Sequence, residues 1–169
     1  MDGEGDVCAG DIRWLDVDDL LLLNRVNIRV FSRNEREGAL SPHALEAVQK
    51  APSTYSYYEQ THDLVLLAAV LYVRITNGHA FHNANKRTAF AACRVFMRLN
   101  GLSFDPPREE AVLVARGVAE HLYTIEEVAA WIATYSKPAA SNDLLSEAMQ
   151  KDGEWFASLA VDPVDLPDD

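Results

Sequence analysis

The sequence predicts an all-α bundle of about six or seven helices carrying one small β-hairpin. Three observations lead there. Apolar residues recur at helical spacing through most of the 169 residues. Helix start signals precede these runs again and again, as in Asp16, Ser41-Pro42, Thr61 and Thr124. Within the helical pattern, the stretch between residues 51 and 60 has the composition of extended structure.

Residues 1–10 read as a flexible acidic leader, and Ile12 to Leu15 as a short strand or extended lead-in. Asp16 can cap a helix over 17–31, with Asp18 and Asp19 in its first turn, where acidic side chains oppose the helix dipole. Leu22, Val26 and Val30 supply its apolar spacing. Residues 32–40 are polar and contain Gly38, as a loop would. Ser41-Pro42 gives an N-cap with proline at the first helical position, for a helix to about residue 50.

Pro52, Ser53, Thr54, Tyr55, Ser56, Tyr57 and Tyr58 break that pattern and favour a small hairpin. Thr61 caps a helix over 62–77 that is apolar nearly all round, which predicts a central, buried helix ended by Gly78 in the left-handed conformation. The next helix runs from about Asn85 to Leu99, with Ala89, Ala92, Phe96 and Leu99 inward, and Asn100-Gly101 closes it. Asp105-Pro106-Pro107 opens another, with Val112, Ala115 and Leu122 inward. Thr124 to Glu127 is a capping box for the last helix of the compact part, which Pro138 ends. One more amphipathic helix is expected over 143–160 and disorder over the last nine residues. The domain boundaries are therefore a leader over 1–10, a core over 11–136 and an acidic extension over 137–169.

A formal net charge of -11 argues against direct nucleic-acid binding, because the cations that displace phosphate counterions are missing. Cys8 and Cys93 make neither a metal pair nor a disulfide framework, and Cys93 falls in a core pattern. There is no secretory signal core and no apolar run of membrane-spanning length, so a cytoplasmic location without membrane contact is expected.

Chemistry concentrates in His79-Ala80-Phe81-His82-Asn83-Ala84-Asn85-Lys86-Arg87, between two apolar helices. The first turn of a helix leaves backbone N–H groups unpaired and adds positive potential, so the loop entering it makes an anion site. Small Ala84 lets a phosphate approach the backbone, Asn85 adds a donor, and Lys86 and Arg87 add point and forked positive charge. Phe81 is the apolar anchor of the loop, and His79 is a candidate proton acceptor for a hydroxyl nucleophile. His79 and His82 are spaced for a metal, but no third ligand stands nearby, so zinc is disfavoured. Arg94 and Arg98 read as a solvated helix face.

The run His-x-Phe-x-Asn-Ala-Asn-Lys-Arg-Thr-Ala resembles the signature of the Fic/Doc superfamily, and Lys86 is similar to the Doc (death-on-curing) toxin branch. The resemblance spans roughly residues 11–136. It implies a Fic/Doc-type bundle with a target-binding flap at residues 51–60, including Ser53, Thr54 and Tyr55, that receives target backbone by strand addition. It also implies an ATP-using enzyme with His79 as general base and Asn85 and Arg87 on the phosphates. Fic proteins generally move AMP to a hydroxyl. Doc toxins move the γ phosphate of ATP to a threonine of elongation factor Tu and stop protein synthesis. Lys86, in place of the usual Gly, points to the kinase, with AMP transfer or a non-catalytic antitoxin-binding module as alternatives. Asn83 stands where Fic enzymes usually carry Asp or Glu beside magnesium, so a weaker Mg site is expected. The second arginine of the Fic motif would fall at Phe90. The internal inhibitory pattern Ser/Thr-x-x-x-Glu-Gly/Asn is absent, since Arg33 stands four before Glu37, and so the resemblance implies a separate cognate antitoxin.

Overall fold

Among the described residues, six helices and one two-stranded ribbon build the fold: α1 (Val17–Phe31), α2 (Pro42–Glu59), α3 (Leu64–Gly78), α4 (Asn85–Leu99), β1 (Leu102–Phe104), α5 (Arg108–Ala119), α6 (Ile125–Thr134) and β2 (Ser136–Pro138). The computed structural model describes residues 12–31 and 33–139. The leader over 1–10, the helix expected over 143–160 and the final nine residues lie outside the described residues.

α3 is the central helix, packed against α2, α4, α5 and α6. Its buried run Leu67 to Tyr72, with Ile75 and Thr76, turns apolar surface to neighbours on every side. α4 is buried still more fully, over most of Asn85 to Met97, and α1 covers its other flank. The two most enclosed helices are thus joined by the loop His79–Ala84, which gives that loop a rigid support at both ends.

Local signals explain most boundaries. Asp16 and Asp19 cap α1 reciprocally: the Asp19 N–H donates to Asp16 Oδ1 at 2.8 Å, and the Asp16 N–H to Asp19 Oδ2 at 2.9 Å. Ser41 Oγ accepts the Ala44 N–H at 3.2 Å at the head of α2. Asp63, rather than Thr61, caps α3 by accepting the Val65 and Leu66 N–H groups. The Thr124–Glu127 capping box is present at the head of α6. The core stripe of α1 is Leu20, Leu23, Asn24, Asn27 and Ile28; Leu22 and Val26 are half-buried and Val30 is exposed, so the true stripe is rotated from the expected one. Leu122 is likewise exposed, because α5 ends at Ala119 and the residue lies in the following turn.

The expected hairpin at residues 51–60 is corrected to helix: α2 continues through Ser53, Thr54 and Tyr55 to Glu59. Leu45, Val48, Pro52 and Ser56 are buried in succession at helical period, and this packing overrides the strand preference of the tyrosines. Pro52 costs one backbone bond but is buried on the packed face. The strands lie elsewhere. β1 and β2 pair antiparallel, with Leu102 opposite Pro138 and Phe104 opposite Ser136. Three-residue strands are too short to show a two-residue period in sequence. Arg94 is not on a solvated face: it lies 2.6 Å from Asp105 Oδ1 and donates to the Phe104 carbonyl at 3.0 Å, tying α4 to the end of β1.

No helix among the described residues is long and apolar enough to cross a membrane.

Candidate functional site

The loop between α3 and α4 is bounded by two left-handed residues that are not glycine, His79 (φ 48°) and Ala84 (φ 60°). Gly78 was expected to take the left-handed position; it stays helical, and His79 takes it instead. The glycine serves packing: a Cβ at Gly78 would sit 2.5 Å from Val48 Cγ1, so α2 and α3 approach there only because the side chain is missing. Once past Gly78, the left-handed turn carries the His79 side chain into solvent.

Phe81 is fully buried, as an anchor should be, and pairs with Ala39 as an antiparallel bridge. Around that bridge the Leu40 N–H donates to the Ala80 carbonyl at 2.8 Å and the His82 N–H to the Gly38 carbonyl at 3.2 Å. A strap over residues 36–41 therefore lies along the loop. Asn83 fastens the two, its Nδ2 donating to the Arg36 carbonyl at 3.0 Å. This strap, legible in sequence only as part of a polar loop, forms one wall of the site.

The start of α4 has the features of an anion site. Ala84 is left-handed and Asn85 helical, the backbone alternation that gathers successive N–H groups into a concavity. The N-cap residue, Ala84, makes no side-chain cap hydrogen bond. The Asn85 carboxamide is buried and turned back on the loop, where Oδ1 accepts the Phe81 N–H and Nδ2 donates to the Phe81 carbonyl, each at 3.2 Å. Its main-chain N–H belongs to the first turn of α4. Lys86 is half-buried in the same turn. Arg87 is nearly sealed, with a side chain 2% exposed; Nη2 lies 3.1 Å from Glu35 Oε2, and the guanidinium sits 5.8 Å from the centre of the Phe31 ring.

Two residues here escaped the sequence reading. Glu35 looked like one charge in a polar loop. Asn24 is fully buried on the core face of α1; the signal for it was a carboxamide in an apolar stripe, which must find partners inside. Ser53, Thr54 and Tyr55 are on a helix; Thr54 and Tyr55 line a groove of about 830 Å³ between α2 and α3 that reaches Gly78.

For magnesium, the described residues hold no group of three or more His, Cys, Asp or Glu arranged for a metal. Asn83 offers one uncharged oxygen, so a divalent ion here would draw its negative ligands from a bound polyphosphate.

A proton acceptor in solvent beside an uncapped, cation-bearing helix start can hold an anion and deprotonate a neighbouring hydroxyl. The model of the Fic/DOC family matches residues 14–97, which contain the strap, the loop and all of α4 but its last two residues. The chain is also 30% identical over 110 residues to "Protein kinase doc" of Escherichia phage P1, covering 64% of this chain and 86% of that protein. By this family match and this similarity, together with its helical architecture, the chain belongs to the Fic/Doc family.

Proposed function

We propose that the protein is a Doc-type kinase toxin: it moves the γ phosphate of ATP to a threonine hydroxyl of a translation factor such as elongation factor Tu, and so inhibits protein synthesis. One observation carries this reading. The exposed His79 and the uncapped start of α4 stand at the two ends of a single short loop, so base and phosphate site share one rigid frame. The similarity to a Doc kinase and the presence of Lys86 favour the γ phosphate over transfer of AMP.

In this mechanism the triphosphate lies on the N–H groups that open α4, with Asn85, Lys86 and Arg87 around it. His79 takes the proton of the target hydroxyl as its oxygen attacks the γ phosphorus. The bond from that phosphorus to the β–γ bridging oxygen breaks, ADP leaves, and the target carries a phosphate ester. Magnesium, when bound with the nucleotide, neutralises phosphate charge, and Asn83 would contribute its oxygen. The target backbone docks along the strap at Gly38–Leu40, which is the extended segment beside the loop. A separate antitoxin covers the site, since the chain lacks the internal inhibitory pattern.

ATP labelled separately at the α and γ positions, incubated with purified elongation factor Tu, tests the reading. Transfer of γ label only is expected, and His79→Ala should lower it by about 10²–10⁴-fold. Transfer of α label would make the protein an AMP transferase. No transfer of either label, with wild type and His79→Ala equally harmless to growing cells, would favour a non-catalytic module that binds an antitoxin.

A further inference from the structure

The Asn24 carboxamide touches three separate parts of the site wall. Its Oδ1 accepts the Gly38 N–H at 2.9 Å, its Nδ2 donates to the Asn83 carbonyl at 2.9 Å, and the same nitrogen lies 3.2 Å from Thr88 Oγ1. The residue is fully buried, so water does not compete for these bonds. From one position on α1 it ties together the strap, the phosphate-binding loop and the first turn of α4.

The bond to Asn83 has a directional consequence. In a trans peptide the carbonyl and the N–H point opposite ways. The bond 83–84 is trans. Asn24 draws the Asn83 carbonyl inward toward α1, and the Ala84 N–H is thereby turned outward. Ala84 is the left-handed residue from which the N–H concavity begins. A left-handed alanine is a strained state that persists only where neighbours over-determine it, and Asn24 supplies such a neighbour. Through Gly38, whose φ is +96°, the same side chain sets the strap against the loop.

We propose that Asn24 is a positioning residue that turns the Ala84 amide toward the phosphate and locks the strap to it, so that the site is preorganised before nucleotide arrives. The inference rests on the nucleotide-binding reading given above. It deepens that reading by placing part of the phosphate specificity on α1, outside the signature run.

Three variants test it: Asn24→Ala, which removes all three contacts; Asn24→Asp, which keeps an acceptor for Gly38 but loses the donor to Asn83; and Thr88→Val, which removes one contact of the same buried residue and leaves Asn83 and Gly38 tied. Each is measured for ATP dissociation constant, for kcat and KM in γ-phosphate transfer, and for amide hydrogen exchange at residues 38–40 and 83–87. Asn24→Ala and Asn24→Asp should lower kcat/KM for γ-phosphate transfer by about 100-fold, the order of loss expected when supporting groups shift a bound reactant by an ångström, and should raise the ATP dissociation constant as well. In Asn24→Asp, exchange should rise at 83–87 more than at 38–40, because only the strap bond survives. Thr88→Val should bind ATP within about twofold of wild type. Equal ATP binding and equal exchange in wild type and Asn24→Asp would overturn the proposal, as would a loss in Thr88→Val as large as in the Asn24 variants. If Asn24→Ala does not fold, Asn24→Asp, which conserves volume, decides. Wild type that binds no ATP would instead overturn the nucleotide reading and the phosphate role with it, and the exchange arm would still show whether Asn24 joins strap and loop.

Discussion

The Arg87 guanidinium is held by Glu35, Nη2 to Oε2 at 3.1 Å, with the arginine side chain almost sealed and the carboxylate half-open to solvent. An internal anion thus stands on a cation of the proposed phosphate site. Glu35→Gln should raise affinity for ATP several-fold, because a phosphate no longer competes with a full negative charge, and should cost about 1–3 kcal/mol of stability through the weakened bond to a buried cation. Calorimetric titration with ATP and a urea unfolding curve on the same preparation measure both effects. Weaker ATP binding would mean that Glu35 orients Arg87 rather than opposing its ligand.

Gly78→Ala places a methyl group 2.5 Å from Val48 Cγ1, and Val48 is a branched residue packed in the core. A stability loss of about 1–3 kcal/mol is expected from this overpacking. Because Gly78 directly precedes His79, catalytic transfer should fall as well. Val48→Ala in the same chain should restore part of both, which a chemical melt and a label-transfer rate would show.

Ala84→Gly tests the strain at the entry to α4. The left-handed conformation costs an alanine roughly 1 kcal/mol relative to glycine. The substitution should therefore leave thermal stability equal or raise it slightly, while Ala84→Val, with a branched side chain at φ 60°, should lower it clearly. A thermal melt ranking valine above alanine would contradict the left-handed assignment.

Alkaline pH should weaken the fold through two buried acids on facing helices. Burial pushes the Cys93 thiol up from 9.0 to about 12 and the Tyr72 phenol up as well. The unfolded chain loses the thiol proton near pH 9 while the folded chain keeps it, so stability is fully present below that point and falls as pH rises from about 9 toward 12. Native Cys93 should resist alkylation at pH 9 and react on denaturation. Tyr72 Oη has no hydrogen-bond partner among the described residues, so Tyr72→Phe should be neutral or stabilise by up to about 1 kcal/mol in a melt at pH 7.

Much of this site was legible because short-range chemistry dictates it. The span of α1, the Ser41-Pro42 start of α2, the span of α4 and the Thr124 capping box follow from caps and spacing that act within one turn. The signature run around His79 and Arg87 was legible as residue types suited to an anion. What sequence did not reveal depends on distant partners. Tyr55 and its neighbours are helical because Pro52 and Ser56 pack in the core, a fact of tertiary contact. Gly78 is spent on Val48, thirty positions away, and so the left-handed turn passed to His79. Asn24 reaches Asn83 across 59 positions and Glu35 reaches Arg87 across 52, and nothing local to either residue names its partner.

The β1–β2 ribbon has a practical use. It places Lys137 opposite Ser103, next to Phe104, whose carbonyl accepts from Arg94 in the second half of α4, while Ala84 and Asn85 stand at the start of that helix. From Asn85 to Arg94 the helix rises about 14 Å. A fluorophore tethered to the exposed Lys137 would therefore travel with the rigid body yet leave the mouth around His79 unshaded. Such a label could follow capture of nucleotide or of a protein by anisotropy without itself becoming an obstruction.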